Sequence, residues 1–424
     1  MIEDHLTETI TRLIFQLAVI LFVAKIGGEI CNRYFKTPAV LGELTAGIII
    51  GPFALGGIDL PYLGPLFGPS PSLAIPVSNE LWAIAQIGSI ILLFMAGLET
   101  DLRQFIKYAK PASLVAAGGV ILPFVMGVFL TMQFGFSETI TDTRALFVGA
   151  VMTATSIGIT VRVLTDLSSL NTPEGVTVLG AAVLDDVLGI LAITIVVGLE
   201  RSSEFSATTI IPMALKAIGF WLALTIIGIL LSKHISNLFA KFKVNGANLA
   251  LSLSLAFLAA GLAESFGLAM IIGAFSIGLA LSGTQLAHNL DIPLKTISSF
   301  IVPIFFVVMG MLVDITSLQN MWIFGLIITI FAIVGKIVGS GVPALLTGFN
   351  FRGAWRIGIG MTPRGEVALI MASIGIAHNI IDTDFYGVII LMAILTTVIV
   401  PPILSISFRN NLPGTRKTLP NQEI

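Results

Sequence analysis

Apolar stretches of about eighteen residues or more recur along the chain, separated by short polar or turn-rich segments. Runs of that length with little charge read as membrane-spanning helices, since about 20 residues rising ~1.5 Å each cross ~30 Å of hydrocarbon. The pattern predicts about thirteen spans, near 11–32, 38–55, 81–98, 108–134, 144–164, 174–199, 209–232, 246–263, 266–283, 293–313, 318–348, 353–377 and 385–407. The fourth and eleventh are long and should tilt or extend into water. The fold class expected is an all-α polytopic membrane protein.

Composition agrees. Of 424 residues, 56% are hydrophobic and 11% charged, against about 25% charged in soluble domains. The net charge of −2 offers no basic field for nucleic acid. Cys31 is the single cysteine, which excludes an intrachain disulfide framework. The N-terminal "MIEDHLTETITR" is acidic, so the apolar run behind it is expected to be a first span rather than a cleaved signal.

Basic residues then set direction. Alternate loops carry Arg33 and Lys36; Arg103, Lys107 and Lys110; Arg162; Lys233, Lys241 and Lys243; Lys295; Arg352 and Arg356. The intervening loops hold only Arg144 and Arg201, beside acidic or turn-rich runs such as "SETITD" and "IIDTD". The positive-inside rule predicts an outside N-terminus and a cytoplasmic C-terminus, in the inner (cytoplasmic) membrane of the cell. The tail 408–424 is short, so no soluble regulatory domain is expected.

Two spans contain a Met-Thr pair followed by helix-disrupting residues: "GAVMTATSIGIT" from Gly149 and "GIGMTPRGEVAL" from Gly358. Pro363 removes a backbone donor and Gly365 weakens the helix. Thr153, Thr155 and Ser156 offer hydroxyls that compete with the backbone ladder. Seven spans apart, the two run in opposite directions, as an inverted-topology repeat does. A helix broken at mid-membrane exposes carbonyls that suit a bound cation.

Few ionisable residues remain at membrane depth: Asp185 and Asp186 in span six, Lys336 in span eleven, Arg364 and Glu366 at the second break, and Glu43 near the inner end of span two. Such residues normally find partners and mark ion pathways. Adjacent helix positions point about 100° apart, so the two aspartates face different directions. Lys336, the only lysine deep in a span, is the natural partner for one of them, leaving the other to hold a cation or proton. Carboxylate, hydroxyl and carbonyl oxygens suit hard cations. Arg364 and Glu366 have a plainer alternative, in that they neutralise half-helix dipoles or pair with each other. Glu43 is expected to reach water. His5, His234, His288 and His378 lie near span ends and suggest no metal site.

The stretches "PAVLGELTAGIIIGP", "LLFMAGLETDL", "TATSIGITVRVL", "GAAVLDDVLGI" and "GMTPRGEVALI" together resemble the monovalent cation:proton antiporters of the Kef and Nap type, over about 11–408. The resemblance implies two inverted repeats with crossed discontinuous helices in spans five and twelve. Residues 11–98 and 246–313 would form a scaffold and dimerisation bundle, 108–199 and 318–407 an ion-transporting core, and 209–232 a linker helix. By motif match Asp186 takes the cation- and proton-binding position and is the Na+ ligand. Asp185 takes the preceding acidic position of electrogenic members, Lys336 the lysine bridging to it, and Thr153 the unwound crossing. The presence of Asp185, and of no large nucleotide-binding region, favours the Nap-like side.

The function implied is secondary active exchange of Na+ or Li+ for H+, electrogenic, by an elevator-type movement, serving cation and pH homeostasis. The partners implied are monovalent cations, protons, membrane lipids and a second copy of the chain. No cofactor and no enzymatic activity are expected. K+/H+ exchange is the alternative within transport; a cation channel or a receptor on a transporter scaffold fits less well.

Overall fold

The computed structural model describes residues 2–35, 38–60, 64–68, 76–202, 207–266, 268–312, 321–409 and 412–416. They are almost wholly helical. The helices are α1 (Ile2–Ile30, continued by a π-helical turn at Cys31–Phe35), α2 (Ala39–Ile50), α3 (Asn79–Glu99), α4 (Leu102–Lys107), α5 (Ala109–Gln133), α6 (Thr143–Thr153), α7 (Ile157–Asp166) and α8 (Pro173–Ser202). Then follow α9 (Ala207–Phe239), α10 (Ala247–Ser265), α11 (Met270–Leu281), α12 (Gln285–Met311), α13 (Trp322–Leu346), α14 (Phe351–Gly360), α15 (Glu366–Ala377) and α16 (Thr383–Phe408). A two-stranded antiparallel ribbon, Asp59–Leu60 with Gly64–Pro65, lies in the loop after α2.

Each apolar segment of the sequence falls on one helix, except the fifth and twelfth, which fall on the half-helix pairs α6/α7 and α14/α15. Among the described residues, ten stretches are long and apolar enough to cross a membrane. The segment expected at 266–283 forms a helix of only 12 residues, Met270–Leu281. At ~1.5 Å per residue that is too short to cross alone. Ala269 is extended before it, and a turn at Ser282 and Gly283 closes it.

Helix starts are set by side-chain caps where the sequence supplies them. Asp142 accepts from Arg144 N at 2.9 Å to open α6, and Asn350 from Gly353 N at 2.9 Å to open α14. No such cap exists at the inner half-helices: neither Ser156 nor Gly365 makes a side-chain cap bond to α7 or α15.

Packing separates the helices into neighbourhoods. α3 lies against α11 and α12, α2 against α1 and α12, and α10 against α11. α5 lies against α6, α8 and α13, while α13 also meets α14 and α16. One apolar cluster joins Phe94, Ala260, Ile277 and Leu290; another joins Phe147, Val196, Ile328 and Met371. The α5–α13 approach depends on glycine. A β-carbon at Gly339 would lie 2.5 Å from the Gly118 carbonyl oxygen, and one at Gly118 would collide with the Gly339 carbonyl. This closeness lets Lys336 pass beside Gly119 toward α8.

The residues after α16 turn back onto the helix ends. Asn350 Nδ2 donates to the carbonyls of Pro413 (2.9 Å) and Thr415 (3.3 Å), and Asn350 N to Gly414 O (2.9 Å). Arg356, read from the sequence as a loop cation, is buried at 4% exposure. It donates to Glu174 (2.7 Å), Leu412 O (2.9 Å) and Ser407 O (2.9 Å). A buried guanidinium needs this many acceptors to offset the loss of water.

Gly339→Leu should force α5 and α13 apart. The expected result is a lowered thermal midpoint in detergent, equivalent to an overpacking cost of about 1–3 kcal/mol, together with a weakened Lys336 bridge.

Candidate functional site

The site lies where the two broken spans meet. α6 ends at Thr153 and α7 begins at Ile157; α14 ends at Gly360 and α15 begins at Glu366. The two breaks are joined directly. Ser156 N donates to Pro363 O at 2.7 Å, Thr155 Oγ1 to Met361 O at 3.2 Å, and Thr160 Oγ1 to Gly360 O at 2.6 Å. Backbone groups freed by each break are thus partly satisfied by the other, as buried irregular backbone requires. Gly365 permits the contact: a β-carbon there would lie 2.7 Å from Ser156 Oγ.

Arg364 is fully buried at this crossing. Its guanidinium donates to Thr362 O (2.7 Å), to Met152 O, and more weakly to Ala332 O (3.4 Å). Its own backbone is held at both ends, N to Thr396 Oγ1 at 3.1 Å and O accepting from Thr397 Oγ1 at 2.6 Å. A fixed cation therefore sits on the carbonyl end of α6 and on the segment that follows α14, where the helix dipoles favour positive charge. The sequence reading offered such carbonyls to a transported cation. The structure gives those of Met152 and Thr362 to Arg364. Glu366 opens α15, and its side chain lies outside what is described.

The carboxylates come from α8. Lys336 Nζ reaches across from α13 to Asp185 Oδ1 at 2.6 Å, with both side chains buried at 0% and 1% exposure. Asp185 Oδ2 makes no hydrogen bond among the described residues, although Thr155 stands alongside this carboxylate. Asp186 is also buried, at 7% exposure, and is near enough to Lys336 to feel its charge. Thr153 faces the same helix: its Oγ1 lies 3.8 Å from where a β-carbon of Gly189 would stand. Gly189 is three residues beyond Asp186 and shares its face of α8. Thr153 donates its proton to Ala150 O at 2.7 Å, which leaves oxygen lone pairs on the hydroxyl.

The structure thus gathers Asp185, Lys336, Thr155, Ser156 and Arg364 at one crossing, with Asp186 and Thr153 against it. A cavity of about 30 Å³ borders it, lined by Leu44, Ser156, Phe305, Met309, Arg364 and Thr397. That is room for roughly one or two waters. Glu43, expected near water, is buried at 2% exposure and paired with Arg162 at 3.9 Å. Neither this pair nor Arg356–Glu174 was read from the sequence. Both arginines lie within about a turn of a helix end, which is why the sequence reads as placing them in loops.

An all-helical membrane protein whose unwound helices cross beside buried carboxylates and a lysine belongs, by architecture, among those that handle ions inside the bilayer. The family profile described as "Sodium/hydrogen exchanger, transmembrane" matches residues 18–409. The chain belongs to the sodium/hydrogen exchanger family. It is 36% identical over 425 residues to the high-affinity Na(+)/H(+) antiporter NhaS3 of Synechocystis sp., covering 93% of this chain and 89% of that one. It is 37% identical to the probable Na(+)/H(+) antiporter GerT of Bacillus cereus (92% and 98%) and 35% to the Na(+)/H(+)-K(+) antiporter GerN of the same organism (93% and 96%). In fold it matches the sodium proton antiporter MjNhaP1 of Methanocaldococcus jannaschii at pH 8, with TM-score 0.64, 20% identity, and 94% and 97% coverage.

Arg364→Gln should strand the carbonyls that the guanidinium satisfies, at about 1–3 kcal/mol for each buried acceptor left unpaired. Thermal unfolding in detergent should show the loss, and Arg364→Lys should recover only part of it, since an ammonium lacks the planar fork.

Proposed function

We propose that the protein exchanges Na+, or Li+, for H+ across the cytoplasmic membrane, and that Asp186 holds each guest in turn. The observation that supports this most directly is the 2.6 Å bridge between Lys336 and Asp185, one residue from Asp186 at the helix crossing. Arg364 is committed to backbone carbonyls. Asp186 adds a second buried carboxylate beside the Lys336–Asp185 bridge, and a Na+ or an H+ taken up there offsets its charge. Burial favours the uncharged form of a carboxyl group, and neighbouring carboxyls titrate jointly. Competition for one site is enough to couple the two fluxes. Thr153 supplies a hard oxygen toward the cation.

Movement completes the cycle. Residues 108–199 and 318–407 act as the moving core, and 11–98 with 246–313 as a scaffold that pairs with a second copy; 209–232 links them. α3, α10, α11 and α12 pack most closely with one another, as do α5, α6, α8 and α13, which supports this division, while one apolar cluster containing Leu92, Val115, Val178, Phe275 and Phe305 joins the two sets. The core slides elevator-fashion and presents Asp186 to either side in turn. The chain crosses thirteen times in two inverted repeats, with the short α11 and its non-helical flanks counted as one crossing, N-terminus outside and C-terminus in the cytoplasm. If a cation engages both aspartates, Lys336 loses its partner and releases a proton, so that more than one H+ moves per Na+ and exchange is electrogenic. Cation and pH homeostasis follow as the role.

K+/H+ exchange is the second reading, favoured by a relative named for both Na+ and K+. Oxygen sites separate these ions by cavity size, so the two readings share every residue above.

Asp186→Asn should abolish Na+-dependent proton flux in proteoliposomes; retained exchange would remove Asp186 from its assigned role. Lys336→Gln should change the pH profile and the response to membrane potential more than it changes folding. Comparing Na+, Li+ and K+ in the same assay decides the cargo.

A further inference from the structure

Glu43 is a buried carboxylate that the exchange site does not use. It projects from α2 and is 2% exposed. Its Oε1 lies 3.9 Å from Arg162 Nη2 on α7, and its Oε2 has no hydrogen bond among the described residues. Arg162 has a second partner on its own helix, Asp166, at 3.3 Å. Lys25 on α1 also bears on Glu43 electrostatically, but its ammonium donates to Ser299 O at 2.7 Å. Glu43 therefore depends on Arg162, whereas Arg162 does not depend on Glu43.

The placement matters. α2 packs against α1 and α12, and also touches α7 and α16. Leu44, next to Glu43, lines the cavity beside Ser156 and Arg364. By the charge-based orientation the pair lies between the crossing and the cytoplasm. We infer that Glu43 and Arg162 form an ion-pair latch across the sliding boundary, made in this arrangement and broken when the core moves. This rests on the proposed sliding of α7 and its neighbours past α2. A buried carboxylate that loses its partner is costly unless water reaches it. The latch thus biases the balance between the two positions of the core, and apparent affinity scales with the fraction of carriers in the binding-competent position.

In proteoliposomes, Glu43→Gln and Arg162→Gln should each shift the apparent Na+ affinity about five-fold or more, in the same direction. The double variant should shift it no further than either single change, because coupled residues are non-additive. Glu43→Gln keeps the side chain's size and leaves Arg162 its Asp166 partner, so folding is preserved. In parallel, a Cys31→Ser protein carrying Glu43→Cys and Arg162→Cys is joined by a short, reducible thiol cross-linker. Joining should arrest exchange and reduction should restore it. Failure to join would show that the two residues are not neighbours and would overturn the latch. Joining without arrest would overturn the sliding on which it rests. Arrest, with both single variants within about two-fold of the parent, would overturn the latch alone and leave the sliding intact.

Discussion

The fold is arranged around an ammonium buried away from bulk water. Taking Lys336 and Asp185 out of water costs several kcal/mol per ion, and attraction between them repays it only with close geometry. The 2.6 Å contact supplies that geometry, and the helices around it make the contact possible. Glycines on α5 and α13 remove the side chains that would hold those helices apart. α8 carries its aspartates toward the lysine, and the unwound segments bring Thr155 to the same carboxylate. A hydrophobic pair of the same volume would be as stable or more so. Stability alone therefore does not account for the ions kept here.

The crossing solves a second electrostatic problem. Breaking two helices in the bilayer creates carbonyl ends and amide ends with no partners of their own. Arg364 answers the carbonyls of Met152 and Thr362, and Thr155, Ser156 and Thr160 of the first break donate to carbonyls of the second. Because that cation is covalently part of the protein, the backbone ends are satisfied whatever occupies the site.

Much of this was legible in the sequence, for physical reasons. Length and apolar character marked the spans, and Pro363, Gly365 and the hydroxyl run after Met152 marked both breaks. Elimination found Lys336 as a partner for the aspartates, because few other cations lie so deep. What stayed hidden depended on distance along the chain. Nothing near Arg364 says that its partners include carbonyls of Met152 and Ala332, since backbone acceptors carry no sequence signal. Glu43 looked close to water because a helix end was near, but α7 covers it. Arg356 and Glu174 looked like charges at helix ends, and only the return of the chain after α16 buries them.

That returning segment has a consequence for how the protein can be observed. Residues 412–416 are bound to the start of α14 through Asn350 and to the start of α8 through the Arg356–Glu174 pair. A fluorophore or spin label attached there would ride on those helices rather than swing on a loose tether. Its distance from a second label on α2 would report directly whether these helices shift past α2, and by how much.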